Sequence, residues 1–98
     1  MKFQNSKRFL KAFAALPKPI QAKAQKAFAL FVAKPTYPYH PSLVVKKLKG
    51  LQSDVDVWEG RIDQFYRFTF NYDKDPESGE AICIFRNVGR HDIIDHAP

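Results

Sequence analysis

Arg61, Arg67, Arg86, Arg90 and His91 are spaced through apolar, aromatic-rich runs in the second half of this 98-residue sequence. Their types suit one chemistry, the holding of a phosphate and the movement of a proton beside it. A guanidinium is a planar fork that grips two phosphate oxygens at once. An imidazole takes up and releases protons near neutral pH. Other chemistries lack their residues. His40, His91 and His96 are far apart, and with one cysteine and scattered acids they offer none of the short spacings of a zinc site. There is no serine elbow, glycine-rich phosphate loop or dinucleotide fingerprint, so neither a metal nor a small-molecule cofactor is expected. Each residue also has a structural reading. Arg67 could pair with Glu59 or Asp63 across a hairpin, Arg61 could tie strands together, and His91 could be a hydrogen-bonded surface group.

The elements that must position these residues follow from periodicity. Val57 to Asn71 reads as a hairpin turning near Asp63 and Gln64, and Ala81 to about Val88 as the last strand. Alternation puts Phe65, Arg67, Thr69 and Asn71 on one face, with Tyr66, Phe68, Phe70 and Tyr72 on the other as the core row. Upstream, Leu43 to Leu48 reads as a further strand, with Lys46, Lys47 and Lys49 as a basic cluster before Gly50. Those lysines either meet a polyanion or blunt an edge strand. Ser6 is a candidate N-cap for a helix that buries Phe9, Leu10, Phe13 and Leu16. Pro17 and Pro19 separate it from a second helix, about Pro19 to Ala33, facing the core through Ile20, Ala24, Ala27, Phe28 and Phe31. Met1 to Asn5 can extend as an edge strand with Phe3 inward. Lys34 to Ser42 is an irregular, proline-broken connection. Gln52 to Asp54 is a loop, and Asp73 to Glu80 an exposed turn. The expected architecture is one α+β domain over 1–98. Its parts are a helical hairpin at about 6–33, a four-stranded antiparallel sheet at about 43–90, and a short tail at 91–98.

Bulk properties agree with one soluble domain. No apolar run approaches the roughly 18 residues of a membrane span, and no signal-type segment opens the chain, so a cytoplasmic location is expected. The lone Cys83 sits in an apolar strand and reads as a small buried hydrophobe in a reducing compartment. Charge is divided unevenly. Residues 1–53 carry eleven Lys and Arg with no acid, and residues 54–98 carry five against ten Asp and Glu, which makes +11 and −5 for a net +6. A field of one sign over half a small domain implies a polyanionic partner, nucleic acid or an acidic protein segment. A solvated helix surface is the plainer alternative.

Four segments in order, HPSLVVKKLKG (40–50), VWEGRI (57–62), FYRFTF (65–70) and RNVGRHDII (86–94), together with PKPIQAKAQKAFALF before them, resemble the RelE/ParE superfamily of toxins from bacterial toxin–antitoxin operons. The resemblance spans nearly the whole chain. It implies a toxin neutralised by a cognate acidic antitoxin, and, by similarity to RelE and HigB, an endoribonuclease that cuts mRNA on the ribosome. In that chemistry the RNA's own 2′-hydroxyl attacks the adjacent phosphate, so no metal and no protein nucleophile is needed.

The resemblance also implies roles. Arg67 matches the arginine of the family's YR motif, which faces the scissile phosphate, and Arg86 matches the last-strand arginine. His91 is the histidine within a matching segment and stands as proton donor or base. Lys46, Lys47 and Lys49, with Arg61 and Arg90, are the implied RNA contacts. One departure is clear: RelE-type enzymes carry a catalytic tyrosine shortly after the last strand, and Asp95 stands about there. Two other outcomes fit the same resemblance, a ParE-like protein that inhibits DNA gyrase without catalysis and a catalytically weak antitoxin-binding module.

Overall fold

The computed structural model describes residues 1–50 and 54–98, with the backbone alone at Ile93; most of the expected 52–54 loop lies outside the described residues. The elements are β1 (Lys2–Asn5), α1 (Lys7–Ala14), α2 (Lys18–Ala33), a 3-10 turn (Pro41–Leu43), β2 (Lys46–Lys47), β3 (Trp58–Arg61), β4 (Tyr66–Lys74), β5 (Ala81–Arg90) and α3 (His91–His96). The strands form one sheet in the order β1-β5-β4-β3-β2. Four of them are antiparallel neighbours as expected. The fifth, β1, pairs parallel with β5 (Lys2 opposite Ile82, Asn5 opposite Phe85), so the sheet is five-stranded and mixed rather than four-stranded and antiparallel.

Helix α1 begins where Ser6 caps it. The Ser6 hydroxyl accepts from the Phe9 amide (3.0 Å) and donates to the Arg86 carbonyl (2.9 Å), so one side chain starts the helix and fastens it to β5. At the other end the side-chain amide of Gln21, on α2, donates to the carbonyls of Phe13, Ala14 and Leu16 at 3.1–3.3 Å. Carbonyls at a helix end are short of intrahelical donors, and Gln21 supplies one from the neighbouring helix. The two helices lie on one face of the sheet, where Phe9, Ala24, Ala27 and Phe31 are buried and Phe28 is partly so. Rings from both layers interlock: Phe31 is 4.5 Å from Phe70, and Phe28 meets Phe68 edge-on at 5.3 Å. Leu10 points away from this core at 53 % exposure, because Phe9, Phe13 and Leu16 already fill the contact stripe. Phe3 is partly exposed and stacks on Phe85 from the edge.

Packing limits β3 at one residue. A Cβ on Gly60 would come 2.3 Å from the ring of fully buried Phe68, its cross-strand partner, so only a hydrogen fits there. The 34–43 connection is pinned by two tyrosines. The Tyr72 hydroxyl donates to the Pro35 carbonyl (2.6 Å), and Tyr39 lies 2.7 Å from Tyr72. Burial together with Tyr39 pushes the Tyr72 phenol well up, so it stays protonated. The expected strand over 43–48 shrinks to Lys46–Lys47, since Leu43 closes the 3-10 turn and Val44 takes a left-handed conformation (φ 44°). Such a conformation costs a β-branched residue on the order of 1–3 kcal/mol.

Strand β5 contains a bulge. Phe70 pairs with Phe85 and Thr69 with Asn87, which leaves Arg86 as the extra residue. Phe85 and Val88 therefore both reach the helical side, while Arg86 and Asn87 both bond to the chain end on the other side. There the expected 91–98 tail is a helix and a short extension. Ile94 of α3 is fully buried outside the main core cluster. The Ala97 carbonyl accepts from Asn87 Nδ2 (2.7 Å), and the Pro98 carbonyl accepts from Thr69 Oγ1 (2.8 Å) and Arg86 Nε (3.3 Å).

Candidate functional site

The face of the sheet away from the helical hairpin carries Lys46, Glu59, Arg61, Arg67, Thr69, Asn71, Arg86 and Asn87, as register and bonding show. Its two ends differ. At the hairpin end Arg61 stands directly opposite Arg67. Like charges in register repel, and among the described residues no acid forms an ion pair with either. The turn that holds them is built by Asp63, whose carboxylate accepts from the Phe65 and Tyr66 amides at 2.9 Å each and pairs with Lys23 at 3.3 Å. Burial alone would raise the Asp63 pKa. The two amides and Lys23 outweigh it and hold the carboxyl below its usual range. Arg67 pairs with neither carboxylate. Its Nη1 donates to the Asp63 carbonyl (2.6 Å) and the Tyr66 carbonyl (3.0 Å), which fixes one corner of the guanidinium. Nε and Nη2, the edge that makes bidentate contacts, have no partner among the described residues. Arg61 is exposed and likewise without a bonding partner there.

His91 opens α3 at the same end. Its backbone amide donates to the Phe65 carbonyl (2.9 Å) and its side chain is exposed. Arg90, one residue earlier, does not join this group. It pairs with Tyr66, hence on the helical side, and stacks over Phe65 and Tyr66 at 5.5 and 5.9 Å.

Arg86 lies elsewhere and is occupied. Its Nη1 donates to Asn71 Oδ1 (3.0 Å) and its Nε to Pro98, so it points along β4 away from Arg67, with Thr69 between them. Burial, and then the charge of Arg8, lower its pKa from the ordinary arginine range. The cause of this divergence is the bulge, because one extra residue displaces Arg86 from strict alternation. Strand register therefore sets Arg61 opposite Arg67, the backbone bond to Phe65 puts His91 at the same end of the sheet, and Arg86 lies in a polar network beneath residues 97–98. Asp95, expected from the resemblance to stand about where the family's tyrosine lies, is exposed on α3.

The lysines divide as well. Lys46 faces the cationic side and pairs with buried Glu59 (3.3 Å), while Lys47, on the opposite face, stands across from Trp58 and pairs with Asp56 (3.3 Å). Lys49 is exposed beyond β2. Cys83 is fully buried, and burial pushes its thiol up to about 12, which leaves no thiolate for nucleophilic work. Among the described residues no cluster of three or more His, Cys, Asp or Glu could hold a metal ion. Among them also, no helix is long and apolar enough to cross a membrane. Two features gave no sequence signal: the role of Gln21 as a cap on another helix, and the seating of residues 97–98 on the sheet.

A helical hairpin on one face of a mixed five-stranded sheet, with Arg61, Arg67 and Arg86 on the other, is a small α+β architecture that solved structures of toxins share. The chain has the fold of RelE/ParE-superfamily toxins. YafQ from E. coli strain BL21(DE3) superposes with a TM-score of 0.68 at 13 % identity, covering 95 % of this chain and 96 % of that one. RelE in the RelB-RelE antitoxin-toxin complex from Methanococcus jannaschii gives 0.65 at 20 % identity (97 % and 99 %). A YoeB/ParE toxin from Agrobacterium tumefaciens gives 0.66 at 15 % (93 % and 99 %). No protein-family model and no curated protein matches the sequence.

Proposed function

We propose that this chain is the toxin of a type II toxin–antitoxin pair and a ribosome-dependent endoribonuclease that cuts mRNA without a metal. The observation that carries the reading is the in-register Arg61–Arg67 pair at the hairpin end of the sheet, with a guanidinium edge unpartnered among the described residues and His91 opening α3 at that same end. Two unneutralised cations face to face are unfavourable alone and favourable around a phosphate. In the reaction the RNA 2′-hydroxyl gives its proton to solvent water as its oxygen bonds to phosphorus, and the bond from phosphorus to the 5′-oxygen breaks. A 2′,3′-cyclic phosphate and a 5′-hydroxyl result. Arg67, aided by Arg61, neutralises the oxygens that gain charge. His91 delivers the proton to the departing 5′-oxygen. Arg86 would reach a phosphate only with residues 97–98 lifted from it.

The antitoxin expected from the resemblance, and from the RelE–RelB complexes among the structural neighbours, is acidic and covers this basic end. Such association gains speed from steering and weakens as salt screens it. One observation favours a binding-only, ParE-like inhibitor of DNA gyrase instead: Arg86 is engaged, and an exposed aspartate stands about where the resemblance puts the tyrosine. Expression of the chain alone separates the two. Growth arrest with halted translation and new message ends on primer extension supports the nuclease. Continued protein synthesis with DNA breaks would replace it with gyrase inhibition.

A further inference from the structure

Beside the edge strand β2, on the helical side of the sheet, a cleft of about 370 Å³ is lined by Tyr37, Pro38, His40, Val44 and Trp58. We infer that this cleft binds one unpaired nucleobase of a single RNA strand whose backbone crosses the β2 edge. The cleft's walls are aromatic and apolar, suited to a flat ring. Tyr37 is 85 % exposed, so its ring is free to close over a guest, while Trp58 is held by the core and by Tyr72 edge-on at 6.4 Å. The His40 ring is fixed by Ser42, whose amide donates to Nδ1 (3.2 Å) and whose hydroxyl lies 2.8 Å from it. With Nδ1 accepting, the neutral ring carries its proton on Nε2, where it can donate to a base edge.

The occupant is chosen by charge. Successive strand residues point to opposite faces, so Lys46 stands on the Arg61–Arg67 side and Lys47 on the cleft side, opposite Trp58. Lys49 follows, exposed. A backbone passing over this two-residue edge meets a cation on each side of it. Asp56, 68 % exposed at its side chain, offers little hindrance as the present partner of Lys47. Aromatic walls flanked by backbone-neutralising cations are how proteins hold unstacked bases in single strands. β2 is two strands from β4, roughly 10 Å across the sheet, and stands level with Thr69–Phe70, two to three residues along from Arg67. A strand that crosses the β2 edge therefore puts here a base a few nucleotides from the one held by Arg67. The identity of the polymer rests on the nuclease reading; the cleft itself does not.

Trp58 is the one tryptophan in the sequence and forms part of the wall, so its fluorescence reports the guest directly. Titration with a single-stranded adenylate hexamer should quench it to saturation, and an abasic hexamer of the same charge should not. Tyr37→Ala and His40→Ala, both at exposed positions, should each weaken hexamer binding about tenfold. Equal quenching by the abasic hexamer, or unchanged affinity in both variants, overturns the inference. So does stronger quenching by a polyglutamate peptide than by the hexamer. Message cleavage on ribosomes, measured in parallel, separates the two readings. Base-dependent quenching without cleavage upholds the cleft and removes the nuclease. Cleavage at the normal rate with no quenching removes the cleft and upholds the nuclease.

Discussion

Arg67 and Arg86 lie on neighbouring strands of one sheet face, yet their surroundings are opposite. Arg67 is held by one corner through two backbone carbonyls, with its outer edge open. Arg86 is half-buried, donates to Asn71 and Pro98, and sits where Thr69, Asn71 and Asn87 are almost fully covered. Fixed polar networks under cover confer order, because each buried group left without its partner is costly. An oriented but unsatisfied cation at an edge can instead act on a ligand. The contrast teaches that residue type and strand position do not suffice to assign a catalytic arginine. What its donors already hold decides.

The largest expected effect is on the open end. Arg67→Ala should lower single-turnover message cleavage on programmed ribosomes by about 10² to 10³. Cleavage at the normal rate by the folded variant would erase the contrast. His91→Gln keeps a donor but cannot transfer a proton, and should cost about 10² in the same assay with ribosome binding unchanged. Arg86→Ala should show the reverse pattern. Loss of its bonds to Asn71 and Pro98 should destabilise the fold by about 1–3 kcal/mol in urea unfolding, with a smaller loss of cleavage than Arg67→Ala. A collapse of cleavage without loss of stability would return Arg86 to the reaction centre. The smallest effect concerns the turn that orients Arg67. Asp63→Asn keeps the acceptor for the Phe65 and Tyr66 amides and removes the charge. The folded pKa of Asp63 is lowered, so its ionic contribution is present above the unfolded value of about 3.9 and is lost as pH falls through the folded one. The stability gap between wild type and Asp63→Asn should therefore be seen at pH 7 and shrink below about pH 4.

Periodic features were legible in the sequence. Both helices, the turn at Asp63 and the aromatic core row stand as expected, because apolar spacing decides them directly. The face that Arg67 shares with Thr69 and Asn71 was legible through simple alternation, whereas its pairing with Arg61 depends on the hairpin's register and was not. Alternation failed at Arg86, since a bulge adds one residue and leaves no residue type to announce it. Helix α3 has six residues, too few to show a helical period, and its stability comes from Ile94 packing on the sheet. The parallel partner of β1 could not be read from a four-residue stretch, because its pairing depends on residues 82–85 far along the chain.

That distant pairing bears on the order of assembly. The amide of Ser6 bonds to the carbonyl of Phe85, and Lys2 faces Ile82, so contacts about eighty residues apart complete the sheet. Closing so long a loop costs entropy that only the finished strand repays, and such non-local contacts slow folding. During synthesis the first strand has no partner until β5 emerges, and β5 is also the strand from which α3 and His91 follow. The Arg61–Arg67 end and the N-terminal edge therefore mature together and late, a built-in delay between translation of the chain and the completion of its sheet.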